Sequence, residues 1–488
     1  MQQLTGLDAN FLYMETGPTV GHVCGVALLD PSTGGGRLTF GALQSVVEQR
    51  LHLLPPLRRR LVEVPLGIDR PYWVEDPDFD LDFHVRELAL PTPGSREQLA
   101  EQVARIAARP LDRGRPLWEL YLMSGLEDDR MVMIVKFHHA AIDGVSGAEL
   151  LTTLLDQTPE LPEPSQPPAW QPERVPSDVA MWARGVAGVA LQPLKMLDFQ
   201  RRVLRTLPRS TLFLGRSAVP ALTGGFSRML SGGRSRDGQL LSGPSLVAPK
   251  TSFNRPITSH RRWAYGTASL STVKDVKNTF GVTVNDVVMA ACAGALRRWL
   301  VAHDELPPRP LLAMVPLSVR TPEQQGQFGN RVSAMVAALP THLDDPVARL
   351  RAVHEAMRAA KEQHHAIGAE TLQDVTQFAM PALATRAARV AAQLRLADYL
   401  SPPYNVVISN VPGPRTPLYL AGARLLGYYP VSVVTNGLGL NITVQSYLDN
   451  LDIGLVSCRE LVPDLWDLLG YLTDALDELA EAAARQPH

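Results

Sequence analysis

The stretch Lys136-Phe-His-His-Ala-Ala-Ile-Asp-Gly144 carries the side chains best suited to chemistry. An imidazole titrates near pH ~6.5, so it can take a proton from an alcohol and return it to a leaving group near neutral pH. Two histidines and an aspartate can instead hold a metal, or form a polar strand end whose rings are satisfied locally. By residue type alone, His138-His139-x-x-x-Asp143-Gly144 fits all three. The supporting elements narrow the choice. Residues 130–139 read as a strand, and adjacent strand residues face opposite sides. His138 and His139 therefore cannot share one task, and a metal would meet only one ring on its own side. Gly144 tolerates the positive φ of a turn. Asp143 can orient an imidazole or anchor that turn through an arginine. Ser146 and Glu149 have the spacing of a capping box, so a helix is expected to follow.

Beyond the motif, 488 residues exceed what one hydrophobic core supports, about 250–300, so two domains are expected. Residues 1–158 alternate strand-like and helix-like stretches. Strands are expected at 22–30 and over 118–126 and 130–139, with helices from 40 and over 95–112. Residues 159–255 form a proline- and arginine-rich connector with helical stretches near 178–206 and 209–231. From Arg184 to Arg236 this connector holds ten basic residues and a single acid, Asp198. That face is either a solvated cover over the domain junction or a contact for anionic headgroups or CoA phosphates. From 256 to 488 the α/β pattern resumes. Its last helix places Leu465, Leu468, Leu469, Leu472, Leu476 and Leu479 on one face. Near the start of another helix, Asn285 and Asp286 can satisfy free amides.

Composition removes several classes. The net charge is −2, so no basic field gathers nucleic acid. Three cysteines, Cys24, Cys292 and Cys458, without a CxxC pair, suit neither a disulfide framework nor a zinc cluster. They fit a reducing, cytoplasmic compartment. The first residues lack a basic n-region, and no run of ~18 apolar residues is present, so neither a signal peptide nor a spanning helix is expected. Nothing resembling G-x-S-x-G is present, and no cysteine stands in a nucleophile setting.

His138-His139-x-x-x-Asp143-Gly144 resembles the signature of the CoA-dependent acyltransferase superfamily, which includes chloramphenicol acetyltransferase-like enzymes and peptide-synthetase condensation domains. Seven further segments resemble the bacterial wax ester synthase/diacylglycerol acyltransferase family, in that family's order. They are "LTGLDANFLYMET" (4–16), "PLDRGRPLWELYL" (110–122), "FNRPITSHRRWA" (253–264), "TVNDVVMA" (283–290), "VPLSVR" (315–320), "GNRVSAM" (329–335) and "SNVPGP" (409–414). The connector shows no matching motif.

The resemblance implies an α/β fold of two chloramphenicol-acetyltransferase-like domains with a tunnel between them and a helical crossover. It implies transfer from acyl-CoA to diacylglycerol or a long-chain alcohol, with acyl-CoA as co-substrate, no resident cofactor and no metal. His139 carries over as proton acceptor, His138 as an orienting neighbour, Asp143 as a structural member and Gly144 as the turn. Arg58, Arg320 and Arg331 are candidate partners of Asp143. Asn285 and Asp286 match an Asn-Asp motif and stand either as helix caps or in the active-site wall. Peripheral contact with a membrane or lipid-droplet surface is expected, through the 184–236 stretch and "ALATRAARVAAQLRL" (382–396). Two other functions compete. One is a condensation-type N-acyltransferase on carrier-bound substrates; the other is a non-catalytic lipid-binding protein of the same fold.

Overall fold

The structure is a computed structural model and describes residues 1–36, 38–142, 150–160, 172–188, 190, 247–318, 332–367, 390 and 393–486. Its strands, in chain order, are β1 (Gln2–Gln3), β2 (His22–Asp30), β3 (Arg59–Val62), β4 (Tyr72–Glu75), β5 (Val85–Ala89), β6 (Trp118–Ser124), β7 (Met131–His138) and β8 (Arg261–Ser269). They continue with β9 (Leu311–Ser318), β10 (Val332–Leu339), β11 (Val406–Val411), β12 (Tyr419–Leu420), β13 (Ala423–Val431), β14 (Leu440–Tyr447) and β15 (Asn450–Cys458). The main helices are α1 (Gly6–Tyr13), α2 (Phe40–Arg50), α3 (Arg96–Ala108), α4 (Leu270–Phe280), α5 (Val284–Ala302), α6 (Pro346–Ile367) and α7 (Leu465–Ala484).

Two six-stranded mixed sheets organise the chain. The first runs β12-β13-β2-β7-β6-β5 and the second β10-β9-β11-β14-β15-β8. Strand β7 lies in the middle of the first, antiparallel to β2 and β6. Its sequence, MVMIVKFH, is apolar on both faces because both are covered, and seven of its eight residues are buried. One face, with Met133, Val135 and Phe137, packs on α2 residues Leu43, Val46 and Val47. The other, with Val132 and Ile134, packs on α3 residues Leu99, Val103 and Ile106. Ser95 and Gln98 close a reciprocal cap at the start of α3, and its apolar residues repeat at helical spacing toward the sheet.

The second sheet also has two different faces. Ala264 of β8 turns toward a core shared with α4, α5, α6 and α7, while its neighbours Trp263 and Tyr265 join the core of the first sheet. All six leucines expected on one face of α7 are buried. The two halves do not simply follow one another. Strands β12 and β13, drawn from the C-terminal half, complete the edge of the first sheet, with Val431 opposite Cys24 and Arg424 opposite Asp30. A linear boundary at 256 therefore does not divide the sheets. Gly454 on β15 permits the crossing, because a Cβ there would lie 1.8 Å from the Pro430 carbonyl oxygen. Trp263 Nε1 donates to that carbonyl at 3.1 Å. Asp452 accepts from Tyr428 N–H and Thr267 Oγ1, each at 2.8 Å, and so links β13, β15 and β8.

Helix 178–188 of the connector falls within the described residues. The expected helix at 209–231, most of the basic 184–236 stretch and most of 382–396 lie outside them, as do Asp143, Gly144, Ser146, Glu149, Arg320 and Arg331.

Candidate active site

The end of β7 delivers His138, with His139 just beyond it, and two neighbouring segments hold them. His138 N–H donates to the Leu117 carbonyl at 2.9 Å, and His139 N–H donates to the Gly21 carbonyl at 2.8 Å. The chain then tightens into a turn, with Ala141 N–H donating to the His138 carbonyl at 2.9 Å. Two consecutive residues therefore bond to opposite neighbouring strands, as a strand end requires.

The rings differ sharply. His138 is 1% exposed. Ala140 N–H lies 3.0 Å from its Nδ1, and an amide can only donate. Nδ1 is therefore the bare nitrogen, and Nε2 carries the proton, which it gives to Glu15 Oε1 at 3.2 Å. Both ring nitrogens are committed, so His138 has no lone pair left for a substrate proton. His139 is half-buried. Its imidazole stacks on Phe11 of α1, with centroids 4.0 Å apart and planes 11° from parallel.

Glu15 was not singled out from the sequence. Its Oε1 accepts from Gly21 N–H at 2.8 Å, and its Oε2 takes Arg113 Nη2 at 2.6 Å and Nε at 3.2 Å. Burial pushes its carboxyl up, but hydrogen bonds from His138, the Gly21 amide and Arg113 outweigh burial and hold it down at about 2. Gly21 must be glycine, since a Cβ would lie 2.7 Å from the Phe11 carbonyl oxygen and 2.8 Å from His138 Nε2. Across the sheet, His22 stands opposite His138. Burial, helped by the nearby Lys136 ammonium, pushes it down to about 3, so it stays neutral and donates Nε2–H to the Ala107 carbonyl at 2.6 Å.

The other motif residues serve as supports. Leu117 supplies the carbonyl that holds His138. Trp118, 2% exposed, donates Nε1–H to the Leu57 carbonyl at 2.7 Å and stacks on His84. Asp286 closes a reciprocal cap with Thr283, the true N-cap of α5, and accepts from His354 Nδ1 at 2.8 Å on α6. Those contacts are the capping role with a strut added. Asn285 is half-buried beside it. In Ser409–Pro414, Gly413 N–H donates to Ser446 Oγ at 3.0 Å and packs so tightly on β14 that a Cβ would lie 2.0 Å from the Ser446 carbonyl oxygen. Arg58 pairs with Glu75, Nη2 to Oε1, at 3.9 Å. Among the described residues no group of three or more His, Cys, Asp or Glu side chains is gathered as for a metal ion.

Comparison with known proteins follows this geometry. The model of the wax ester synthase/diacylglycerol acyltransferase catalytic domain matches residues 4–288, and that of the family's C-terminal domain matches 328–480. The chain is 38% identical over 492 residues to a putative diacylglycerol O-acyltransferase of Mycobacterium tuberculosis (strain CDC 1551 / Oshkosh), covering 100% of this chain and 92% of that one. It is 37% identical to the probable diacylglycerol O-acyltransferase tgs2 of M. tuberculosis (strain ATCC 25618 / H37Rv), covering 97% of this chain and 98% of the relative. The solved wax ester synthase/diacylglycerol acyltransferase of Marinobacter aquaeolei VT8 superposes with a TM-score of 0.66 at 28% identity, over 99% of this chain and 100% of that one. The TRI3 trichothecene 15-O-acetyltransferase of Fusarium sporotrichioides shares the fold at a TM-score of 0.59 and 13% identity, over 98% of this chain and 94% of that one. With both domain models matched in order and the relatives covered almost end to end, the chain belongs to the wax ester synthase/diacylglycerol acyltransferase family.

Proposed function

We propose that the protein transfers the acyl group of a long-chain acyl-CoA to the hydroxyl of diacylglycerol, and also accepts long-chain alcohols. The observation that carries the mechanism is the commitment of both His138 nitrogens, to Ala140 N–H and to Glu15. This supports reading His139 as the base. His139 takes the proton from the acceptor hydroxyl as its oxygen forms a bond to the thioester carbonyl carbon. The tetrahedral oxyanion then collapses, the carbon–sulfur bond breaks, and the imidazolium returns the proton to the CoA thiolate. Ester and free CoA leave, and no acyl-enzyme forms. In this reading Asp143 is the structural member of the motif, beside Gly144, and Asn285 stands in the active-site wall. Preference for diacylglycerol rests on the names carried by the relatives.

The acceptor lives in bilayers, so the reading includes work at the cytoplasmic face of a membrane or on a lipid droplet. Among the described residues no single helix is long and apolar enough to cross a membrane. Peripheral contact is the mode we propose.

The test uses purified protein with palmitoyl-CoA and equal diacylglycerol and hexadecanol, quantifying both esters and released thiol. We expect triacylglycerol to predominate and CoA release to match total ester. His139→Ala should lower kcat by about 10²–10⁴-fold. A variant keeping more than about a tenth of the wild-type rate removes His139 as the base.

A further inference from the structure

The segment Phe11–Glu15 reaches both histidines, by different means. Phe11 lies flat on the His139 ring. Four residues later, the two Glu15 oxygens divide their work. Among the described residues, Oε2 meets the Arg113 guanidinium, at 2.6 and 3.2 Å. Oε1 meets Gly21 N–H at 2.8 Å and His138 Nε2–H at 3.2 Å. From Oε1 two short routes lead to the base. One passes through the His138 ring to Ala140 N–H, which fixes the turn just after His139. The other passes through Gly21, whose carbonyl holds His139 N–H at 2.8 Å. Gly21 leaves no room for a side chain, because a Cβ would meet the Phe11 carbonyl and the His138 ring.

We propose that Glu15 is a positioning residue for acyl transfer, acting through His138 and Gly21 to hold the backbone of His139 and keep its imidazole on the Phe11 face. The proposal rests on His139 being the base. A general base works only within hydrogen-bond reach of the proton it abstracts, and a displacement of about 1 Å can cost about 100-fold in rate. Protein groups occupy both Glu15 oxygens. The effect of Glu15 is on where the base stands. Because separate oxygens face Arg113 and His138, an amide at this position can keep the histidine side while losing the guanidinium side. An apolar side chain keeps neither.

The experiment compares wild type, Glu15→Gln, Glu15→Leu and His139→Ala, with palmitoyl-CoA and emulsified diacylglycerol, reading kcat, the KM for palmitoyl-CoA and the thermal midpoint. We expect Glu15→Leu to lose about 10–100-fold in kcat with KM changed by less than about twofold. Glu15→Gln should keep about a third or more of wild-type kcat. Where the leucine variant does not fold, Glu15→Ala replaces it under the same expectation. Undiminished kcat in the leucine or alanine variant overturns the proposal. So do equal losses in Glu15→Gln and Glu15→Leu, which would mark a plain ion pair with Arg113. So does a loss seen in KM instead of kcat. If His139→Ala is dead while Glu15→Leu is fully active, the base reading stands and this one falls. Activity surviving in His139→Ala overturns both.

Discussion

Glu15 and Asp452 are both carboxylates withdrawn from water, and both accept a backbone N–H at 2.8 Å. They titrate in opposite directions. Glu15 is held down at about 2, against the push of burial, by hydrogen bonds from His138, Gly21 and Arg113. Asp452 is pushed up to about 6 by burial, and its two bonds, from Tyr428 N–H and Thr267 Oγ1, only moderate the rise. The difference lies in the donors: Glu15 has His138 first, then Gly21 N–H and the Arg113 guanidinium, where Asp452 has Tyr428 N–H and Thr267 Oγ1. The two donors to Asp452 favour its charged form but do not offset the cost of burial. Near the histidines a fixed charge is maintained. At the junction of the sheets the carboxylate sits near its titration point.

Three substitutions break or sharpen this contrast. The largest effect is expected at the site, from Gly21→Ala. Its Cβ would press on both Phe11 and His138, separating Glu15 from what it holds. A fall in kcat of about 100-fold, with a lower thermal midpoint, is expected. An active, stable alanine variant would mean that the close approach is unimportant.

At the junction, Asp452→Asn should act in the opposite sense. The folded carboxyl titrates at about 6, above its ordinary 3.8. Its contribution to stability is therefore complete below pH 3.8 and is lost as pH rises through 6. At pH 7 the asparagine variant, which keeps an acceptor oxygen, should be more stable by about 1–2 kcal/mol. The two proteins should converge near pH 4. Urea midpoints measured between pH 4 and 7 check this, and parallel curves would deny the shift. The smallest effect is expected from Thr267→Val, which removes one of the two donors to Asp452. A loss of about 1 kcal/mol at pH 7 is expected, shrinking as the pH falls. Equal losses at pH 4 and 7 would assign Thr267 to packing alone.

Much of this molecule was legible in its sequence. His22–Asp30 is the strand its composition implied, and the leucine face of α7 is buried as its spacing required. Strand alternation over 130–139 implies different roles for His138 and His139, although β7 ends at His138. What periodicity cannot show is which distant residues meet. Glu15 lies 123 positions from His138 and Arg113 98 from Glu15, and neither pairing leaves a local pattern. The only textual signal was that "LTGLDANFLYMET" resembled a family segment with no task attached. Asp286 illustrates the converse case. Its capping role was readable from Thr283 three residues before, whereas its bond to His354 needed the packing of α6 on α5. The entry of β13 into the first sheet was not legible either. "GYYPVSVV" reads equally well as a strand of either half, and only its pairing with β2 reveals which.

That shared strand has a consequence for how the protein is made. In the finished molecule β2 is covered along one edge by β13, whose residues follow about 400 positions later. At about 5–20 residues per second, a ribosome needs about 20–80 s to supply them. During that interval the nascent N-terminal half holds an open strand edge, the kind of surface that recruits another chain. The paired histidines are translated early, but the sheet that presents them is completed only after residue 431 has emerged.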